Sequence, residues 1–84
     1  MKSTARLSIL ITLALNTKLT FTELLTITSI GKGSLSNHIE KLALSGLVNV
    51  RTVFRSSGPR VIIEITEKGK LAYKKYSEIL RYLI

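Results

Sequence analysis

Short polar and basic side chains recur at helical spacing between residues 32 and 45. On a helix, Leu35, Ile39 and Leu42 fall within about 60° of one another and form one apolar face. The opposite side and its flanks carry groups that are short or cationic enough to approach a base edge or a phosphate. These groups are Ser34, Ser36, Asn37, His38 and Lys41, and Lys32 at the start of the helix is a further candidate for DNA contact. An ordinary amphipathic helix with a hydrated polar face has the same spacing, so periodicity alone identifies no ligand.

The six side chains suit different contacts. Asn37 can recognise adenine through two hydrogen bonds, and Lys41 suits guanine or a phosphate. Ser34 could instead begin the helix and bond its own backbone, while Ser36 and His38 lie on the flanks, where a side chain can hold neighbouring elements. Leu44 falls on the exposed side of the helix and fits none of these roles, which leaves it to contact another element or a partner.

The charge of the chain favours a negatively charged partner. Thirteen Lys and Arg oppose five Asp and Glu, which gives a net charge of +8 on 84 residues. A surface this basic attracts polyanions, either nucleic acid or an acidic membrane face. Between residues 32 and 60 the only acid is Glu40. The bases there are Lys32, Lys41, Arg51, Arg55 and Arg60. Other lysines lie between residues 68 and 75, and the alternative is that the basic charge is spread over the surface and serves solubility.

Several classes of function are disfavoured. The chain has no cysteine and one histidine, which excludes disulfides, thiolate metal sites and a metal cage built from protein ligands alone. Five scattered acids form no catalytic constellation, so we expect neither an enzyme nor a cofactor. The apolar run at residues 7–15 imitates a secretory signal but lacks a small-residue cleavage site, and no segment approaches the ~20 apolar residues that span a bilayer. We therefore expect a cytoplasmic, nucleoid-associated protein without a membrane partner.

The chain reads as one domain over residues 1–84, with an ordered series of helices and strands. A strongly apolar helix, a short strand and a second helix that Thr22 can cap precede the segment described above, and Gly46 can end that segment in the left-handed conformation. Two β-rich runs then flank a flexible basic loop at residues 55–60, and Thr66 can cap a last helix. The predicted ranges are helices 4–16, 22–27, 32–45 and 67–84, and strands 19–21, 47–54 and 61–66.

Three stretches resemble the small winged helix-turn-helix transcriptional regulators allied to the MarR and ArsR groups. They are Leu-Thr-Phe-Thr-Glu-Leu-Leu at 19–25, Gly-Ser-Leu-Ser-Asn-His-Ile-Glu-Lys-Leu at 33–42 followed by Gly-Leu-Val at 46–48, and Ile-Thr-Glu-Lys-Gly at 65–69. The resemblance implies an α+β, mainly α fold and a dimeric repressor or activator. It places helix 32–45 in the major groove and the wing at 55–60 on the minor groove or the backbone.

The resemblance also implies roles for single residues. Base or phosphate contacts would come from Ser34, Ser36, Asn37, His38 and Lys41, and wing contacts from Arg55 and Arg60. The position of Arg51 on a strand allows two interpretations: its side chain could reach DNA, or it could extend into solvent.

Surplus apolar surface on the first and last helices predicts a two-fold homodimer. The predicted interface residues are Ile9, Leu13, Tyr73, Tyr76, Leu80 and Leu83. The alternative is that the last helix covers its own sheet and first helix. A dimer would set two reading helices about 34 Å apart and would bind a pseudo-palindromic site in double-stranded DNA.

Two functions compete at this point. The first is sequence-specific DNA binding by a transcriptional regulator. The second is a winged helix used as a protein-interaction module, which would favour an acidic or apolar presentation face over a basic one. The sequence does not specify the operator, the direction of regulation, the target genes or an effector.

Overall fold

The computed structural model describes residues 4–83, apart from the side chains of Leu80 and Leu83. Within this range the chain forms four helices around a three-stranded sheet, the predicted winged helix-turn-helix. The elements are α1 Thr4–Asn16, β1 Lys18–Thr20, α2 Phe21–Thr28, α3 Lys32–Leu44, β2 Val48–Arg55, β3 Gly58–Ile65 and α4 Glu67–Leu83. The predicted bounds of α1 and α3 are matched to within one residue.

Helix α2 begins earlier than predicted. Thr20, not Thr22, is the N-cap: its hydroxyl accepts a hydrogen bond from the Glu23 amide at 3.1 Å. The Glu23 carboxylate in turn accepts one from the Thr20 amide at 2.9 Å. A Thr followed three residues later by Glu satisfies two helix-terminal amides reciprocally, and this capping box outweighs the single bond that Thr22 could supply.

The sheet has the strand order β1-β3-β2, and both pairings are antiparallel. Side chains alternate between the two faces of a strand, so residues that pair in register lie on the same face. Leu19 and Val50 both pair with Ile63, and Val48 pairs with Ile65, two residues farther along β3, so all five residues share one face. We call this the inner face, since Leu19, Val48, Ile63 and Ile65 pack against the helices. The other, outer face carries Arg51 toward solvent, and Ile62, its partner in register, is the buried residue of that face.

The core lies between the inner face and helices α1, α2 and α3. Its buried members are Ile9, Leu10, Leu13, Leu24, Leu35, Ile39, Leu42, Val48, Ile63 and Ile65. No polar or charged side chain of residues 4–83 is buried. The hydrophobic effect therefore stabilises this fold without a buried polar network.

Two of the residues predicted at a dimer interface belong to this core. Ile9 and Leu13 are 0% exposed within a single chain, so their assignment to an interface is wrong. Helix α1 packs against the three other helices and the sheet. Tyr73 and Tyr76 on α4 are half-buried. The predicted contacts of Leu80 and Leu83 lie outside the described side chains.

The wing is shorter in its loop and longer in its strands than predicted. The flexible loop expected at residues 55–60 is a two-residue turn, Ser56 and Ser57, because Arg55 already pairs with Gly58 and Phe54 with Pro59. Gly58 has a φ of +113°, a backbone angle that residues with a side chain rarely adopt. Pro59 is tolerated in β3 because β1 pairs only with residues 62–64, so the other edge of β3 is free there.

Helix α3 ends in a tight turn that is hydrogen-bonded to the start of α4. Gly46 has a φ of +76°, and the amides of Gly46 and Leu47 donate to Ala43 O and Leu42 O, the two bonds of a Schellman motif. The Thr66 hydroxyl donates to Gly46 O at 2.7 Å and accepts from the Gly69 amide at 3.0 Å, which confirms Thr66 as the cap of α4.

Replacing Gly69 should destabilise the protein. A Cβ at this position would overlap the Leu47 carbonyl oxygen and lie 2.7 Å from Ile65 Cγ1, so α4 would have to shift. We expect Gly69→Ala to lower the free energy of unfolding by about 1–3 kcal/mol in thermal or denaturant melts followed by circular dichroism. Gly33→Ala is the matched control, because a Cβ there meets nothing within 4 Å, and it should raise stability by up to about 1 kcal/mol. Equal stabilities for both variants would contradict this packing.

The capping box predicts a pH dependence of stability. Hydrogen bonds from the Thr20 backbone and hydroxyl, with a smaller effect of Arg55, hold the pKa of Glu23 below its ordinary value of 4.5. A lowered pKa stabilises the fold above that ordinary value, and the stabilisation is lost as the pH falls through the folded pKa. Between about pH 6 and about pH 3, Glu23→Gln should therefore lose less unfolding free energy than the parent. Superimposable stability profiles would refute the contribution of Glu23.

Candidate nucleic-acid interface

Helix α3 presents its polar side chains to solvent. Its apolar residues Leu35, Ile39 and Leu42 are buried, which orients the opposite face outward. The exposed residues predicted to contact DNA are Lys32, Ser34, Ser36, Asn37 and Lys41. The helix begins at Lys32 after Gly31, so Ser34 lies within the first turn and does not begin the helix. The face is therefore accessible along the whole length of α3.

Two further residues complete this face. Glu40 is exposed between the polar groups, where a carboxylate can accept a hydrogen bond from cytosine and repels phosphates. Leu44 is largely exposed at the end of the helix, as the helical spacing indicated. The face is thus mixed in character and does not consist of cations alone.

His38 is only half exposed, because it is held by the first helix. Arg6 Nε donates a hydrogen bond to His38 Nδ1 at 3.3 Å. This contact favours the reading in which His38 joins neighbouring elements over the reading in which it contacts DNA.

Arg51 has a partner on the outer face of the sheet. Its Nη2 lies 3.7 Å from Glu64 Oε1 on the adjacent strand β3. Both side chains are partly exposed, and such pairs contribute about 1 kcal/mol or less. The guanidinium keeps further donors for another ligand, so the ion pair neither assigns nor removes its predicted contact with DNA.

The wing arginines extend from paired strands. Arg55 ends β2 and is exposed, and the short turn places it across from Gly58. Arg60 folds over the turn: Nη1 donates to Pro59 O at 3.0 Å and Nη2 to Ser57 Oγ at 3.1 Å. Because strands and not a long loop carry them, the two cations stand at positions fixed by the ladder.

Lys18 extends the basic surface beyond the residues found in the sequence. It pairs with Glu64 in register and so lies on the outer face, where an open groove of about 560 Å³ is lined by Lys18, Glu23, Arg51 and Arg55 among others. Only the sheet register brings Lys18 to these arginines, which follow it by more than thirty positions. No local pattern signals that proximity.

Two negative findings concern residues 4–83. No group of three or more His, Cys, Asp or Glu side chains in this range is placed to hold a metal ion. None of the helices described there combines the length and apolar character needed to cross a bilayer.

Comparison with known proteins extends the resemblance to nearly the whole chain. The profile of the winged helix DNA-binding domain family matches residues 5–84. The solved structure of the transcriptional regulator homologue from Pyrococcus horikoshii OT3 is 31% identical, with a TM-score of 0.86 over 93% of this chain and 77% of that one. No curated protein matches the chain significantly.

More distant structures share the fold. A MarR family transcriptional regulator from Silicibacter pomeroyi is 21% identical, with a TM-score of 0.82 over 95% of this chain and 53% of its own. A MarR variant from E. coli, complexed with operator DNA, is 19% identical, with a TM-score of 0.72 over 87% of this chain and 51% of its own. The chain spans about half the length of these two proteins. The profile match and the identity to the Pyrococcus regulator homologue show that the chain belongs to the winged helix DNA-binding domain family of transcription regulators, with a MarR-like fold.

Proposed function

We propose that this chain regulates transcription as a homodimer that binds a specific, pseudo-palindromic site in double-stranded DNA. Helix α3 enters the major groove, and the wing contacts the minor groove or the backbone. The observation that carries the proposal is the exposed polar face of α3, fixed outward by three buried apolar residues and followed directly by a hairpin with arginines at its tip. The MarR variant that has this fold is complexed with operator DNA, which supports DNA binding here.

The proposed contact residues divide into those that recognise bases and those that bind the DNA backbone. Asn37 lies in the middle of the exposed face and carries the amide that pairs with adenine, so we assign it to base recognition. Lys41 and Lys32 are assigned to guanine or phosphate, and Ser34 and Ser36 to polar contacts along the groove. Arg55 and Arg60 bind phosphates beside the wing. Arg51 stays a candidate contact beside Glu64, and His38 contributes less, because Arg6 on α1 holds its ring.

The homodimer rests on α4 and not on α1. Leu71, Ile79 and Tyr82 on α4 are largely exposed, and Tyr73 and Tyr76 are half-buried. A second copy that packs on this helix would cover apolar surface that the monomer leaves in water. With Ile9 and Leu13 assigned to the core, the proposed interface consists of the α4 residues, Tyr73, Tyr76, Leu80 and Leu83 included.

A protein-interaction module is the competing function. The exposed Leu44 at the end of α3 is the observation in its favour, since an apolar side chain beside a polar face suits a protein groove. The net charge of +8 and the arginines of the wing favour DNA instead.

The test begins with duplexes selected by the protein from a random pool, followed by titration of a labelled copy of the preferred site. We expect affinity that falls steeply with salt, because each neutralised phosphate releases counterions. At the preferred site, Asn37→Ala should lose about tenfold or more and no longer discriminate one base pair, since a paired base contact contributes about 1–3 kcal/mol. Arg60→Ala should weaken binding to all duplexes alike and reduce the salt slope by about one.

Asn49→Ala is the matched control for Asn37, because Asn49 is an exposed asparagine on the outer face of the sheet. It should bind as the parent does. No binding above that of a non-basic control protein at about 50 mM salt would refute the proposal. An equal loss on every sequence for Asn37→Ala would remove its reading role alone.

The dimer predicts the effect of a polar substitution on α4. Ile79 is 55% exposed, and Ile79→Gln should shift the chain toward the monomer in sedimentation equilibrium at micromolar concentration, because it removes apolar area from the interface. Lys74→Gln, an exposed position on another side of the same helix, should leave the equilibrium unchanged. A parent chain that is monomeric under these conditions would overturn the dimer without touching the assignment of α3.

A further inference from the structure

The inner face of the sheet continues past the core into the wing. Moving along it, Val48 and Ile63 are buried, Val50 and Val61 are partly exposed, and Phe54 is 83% exposed. These residues share one face, since Val50 pairs with Ile63, Thr52 with Val61 and Phe54 with Pro59. The wing therefore carries an apolar stripe that ends in an uncovered phenyl ring.

Packing within the chain does not account for Phe54. Its cross-strand neighbour Pro59 is itself exposed, and the phenyl ring keeps most of its surface in water. Phe54 lies four residues beyond Val50, roughly 14 Å farther from the core on an extended strand. An aromatic ring favours strand structure but contributes its full apolar area only when something covers it.

The charges around Phe54 decide what can cover it. The hairpin between residues 50 and 61 contains Arg51, Arg55 and Arg60 and no acidic residue. The three arginines lie on the opposite face of the hairpin from the stripe. Two copies meeting through the stripe would still bring two hairpins of the same charge close together without a compensating acid, which opposes association. A groove that encloses the hairpin from both sides, with apolar walls and phosphates along its edges, meets the ring on one face and the arginines on the other.

We propose that Phe54 is a DNA-contacting residue, whose ring packs against sugars and base edges in the groove that the wing approaches, while Arg55 and Arg60 bind the flanking phosphates. Apolar side chains such as Phe and Pro are used in this way in the minor groove, where they wedge against base steps. The inference rests on the proposed DNA binding and adds an apolar, salt-independent contact to it.

Salt dependence separates the ring from its neighbours. With a duplex selected by the parent protein, Phe54→Ala should weaken binding about tenfold. The slope of log affinity against log salt should stay that of the parent, because a phenyl ring neutralises no phosphate. Arg55→Ala should instead reduce this slope by about one. Leu15→Ala, which removes a 74% exposed apolar side chain outside the wing and the proposed dimer helix, should bind as the parent does.

A tryptophan at this position gives a direct signal. The chain contains no tryptophan, so Phe54→Trp introduces a single emitter at the end of the stripe. Its emission should be quenched or shifted to the blue when the duplex saturates the protein. Vesicles of phosphatidylglycerol, an alternative polyanion with an apolar interior, should leave the emission unchanged. Circular dichroism melts of both Phe54 variants should match the parent, since the ring contributes little to the core.

Three results would overturn the proposal. The first is parent-like affinity of Phe54→Ala under conditions in which Arg55→Ala binds weakly, which would leave the proposed function intact. The second is a tryptophan signal with vesicles but not with duplex, which assigns the stripe to membranes. The third is a change in sedimentation of Phe54→Ala without DNA, which assigns it to a second copy. Failure of the parent itself to bind any duplex would instead be the failure of the proposed function.

Discussion

The packing of α4 onto the turn that ends α3 is the constraint from which the arrangement of the binding surface follows. One hydroxyl, that of Thr66, caps α4 and at the same time bonds the carbonyl of Gly46. The Thr66 amide donates to Leu47 O, and Lys68 Nζ donates to Ser45 O at 2.8 Å. The close approach requires Gly69, whose missing Cβ leaves room for the Leu47 carbonyl. Helix α3, the β2–β3 hairpin and helix α4 therefore meet at one hydrogen-bonded junction.

Local signals in the sequence were sufficient for the elements around this junction. The buried stripe of α3, the glycine at its end and the Thr66 cap each depend on neighbours within a few positions, and the structure confirms all three. The sequence predicts the bounds of helix α1 but not which of its apolar residues are buried in the core. A helix that is apolar on all sides does not show which side packs against its own domain and which side is left for a partner. Ile9 and Leu13 were misassigned for that reason, and the density of contacts around α1 decides the question.

The candidate site, too, combines features that local sequence patterns predict with features that depend on distant residues. Exposure of Asn37 and Lys41 follows from the helical spacing alone. The Arg6–His38 hydrogen bond joins residues 32 positions apart, and the Lys18 and Arg51 neighbourhood depends on strand register, so neither could be predicted from local patterns. The wing was misjudged for a different reason: Gly58 and Pro59 suggest a long loop, but the free edge of β3 accepts a proline and allows the strands to run nearly to the tip.

The turn between α3 and β2 leaves little freedom between the two parts of the binding surface. Three residues separate the helix from the strand, and the amide of each donates a backbone hydrogen bond. Helix α3 and the wing are thus joined by a short hydrogen-bonded turn, and a displacement of α4 would act on both through the shared junction. In the homodimer that we propose, a signal that moves α4 would alter the distance and angle between the two α3 helices, and the arrangement of helix and hairpin within each chain would be preserved.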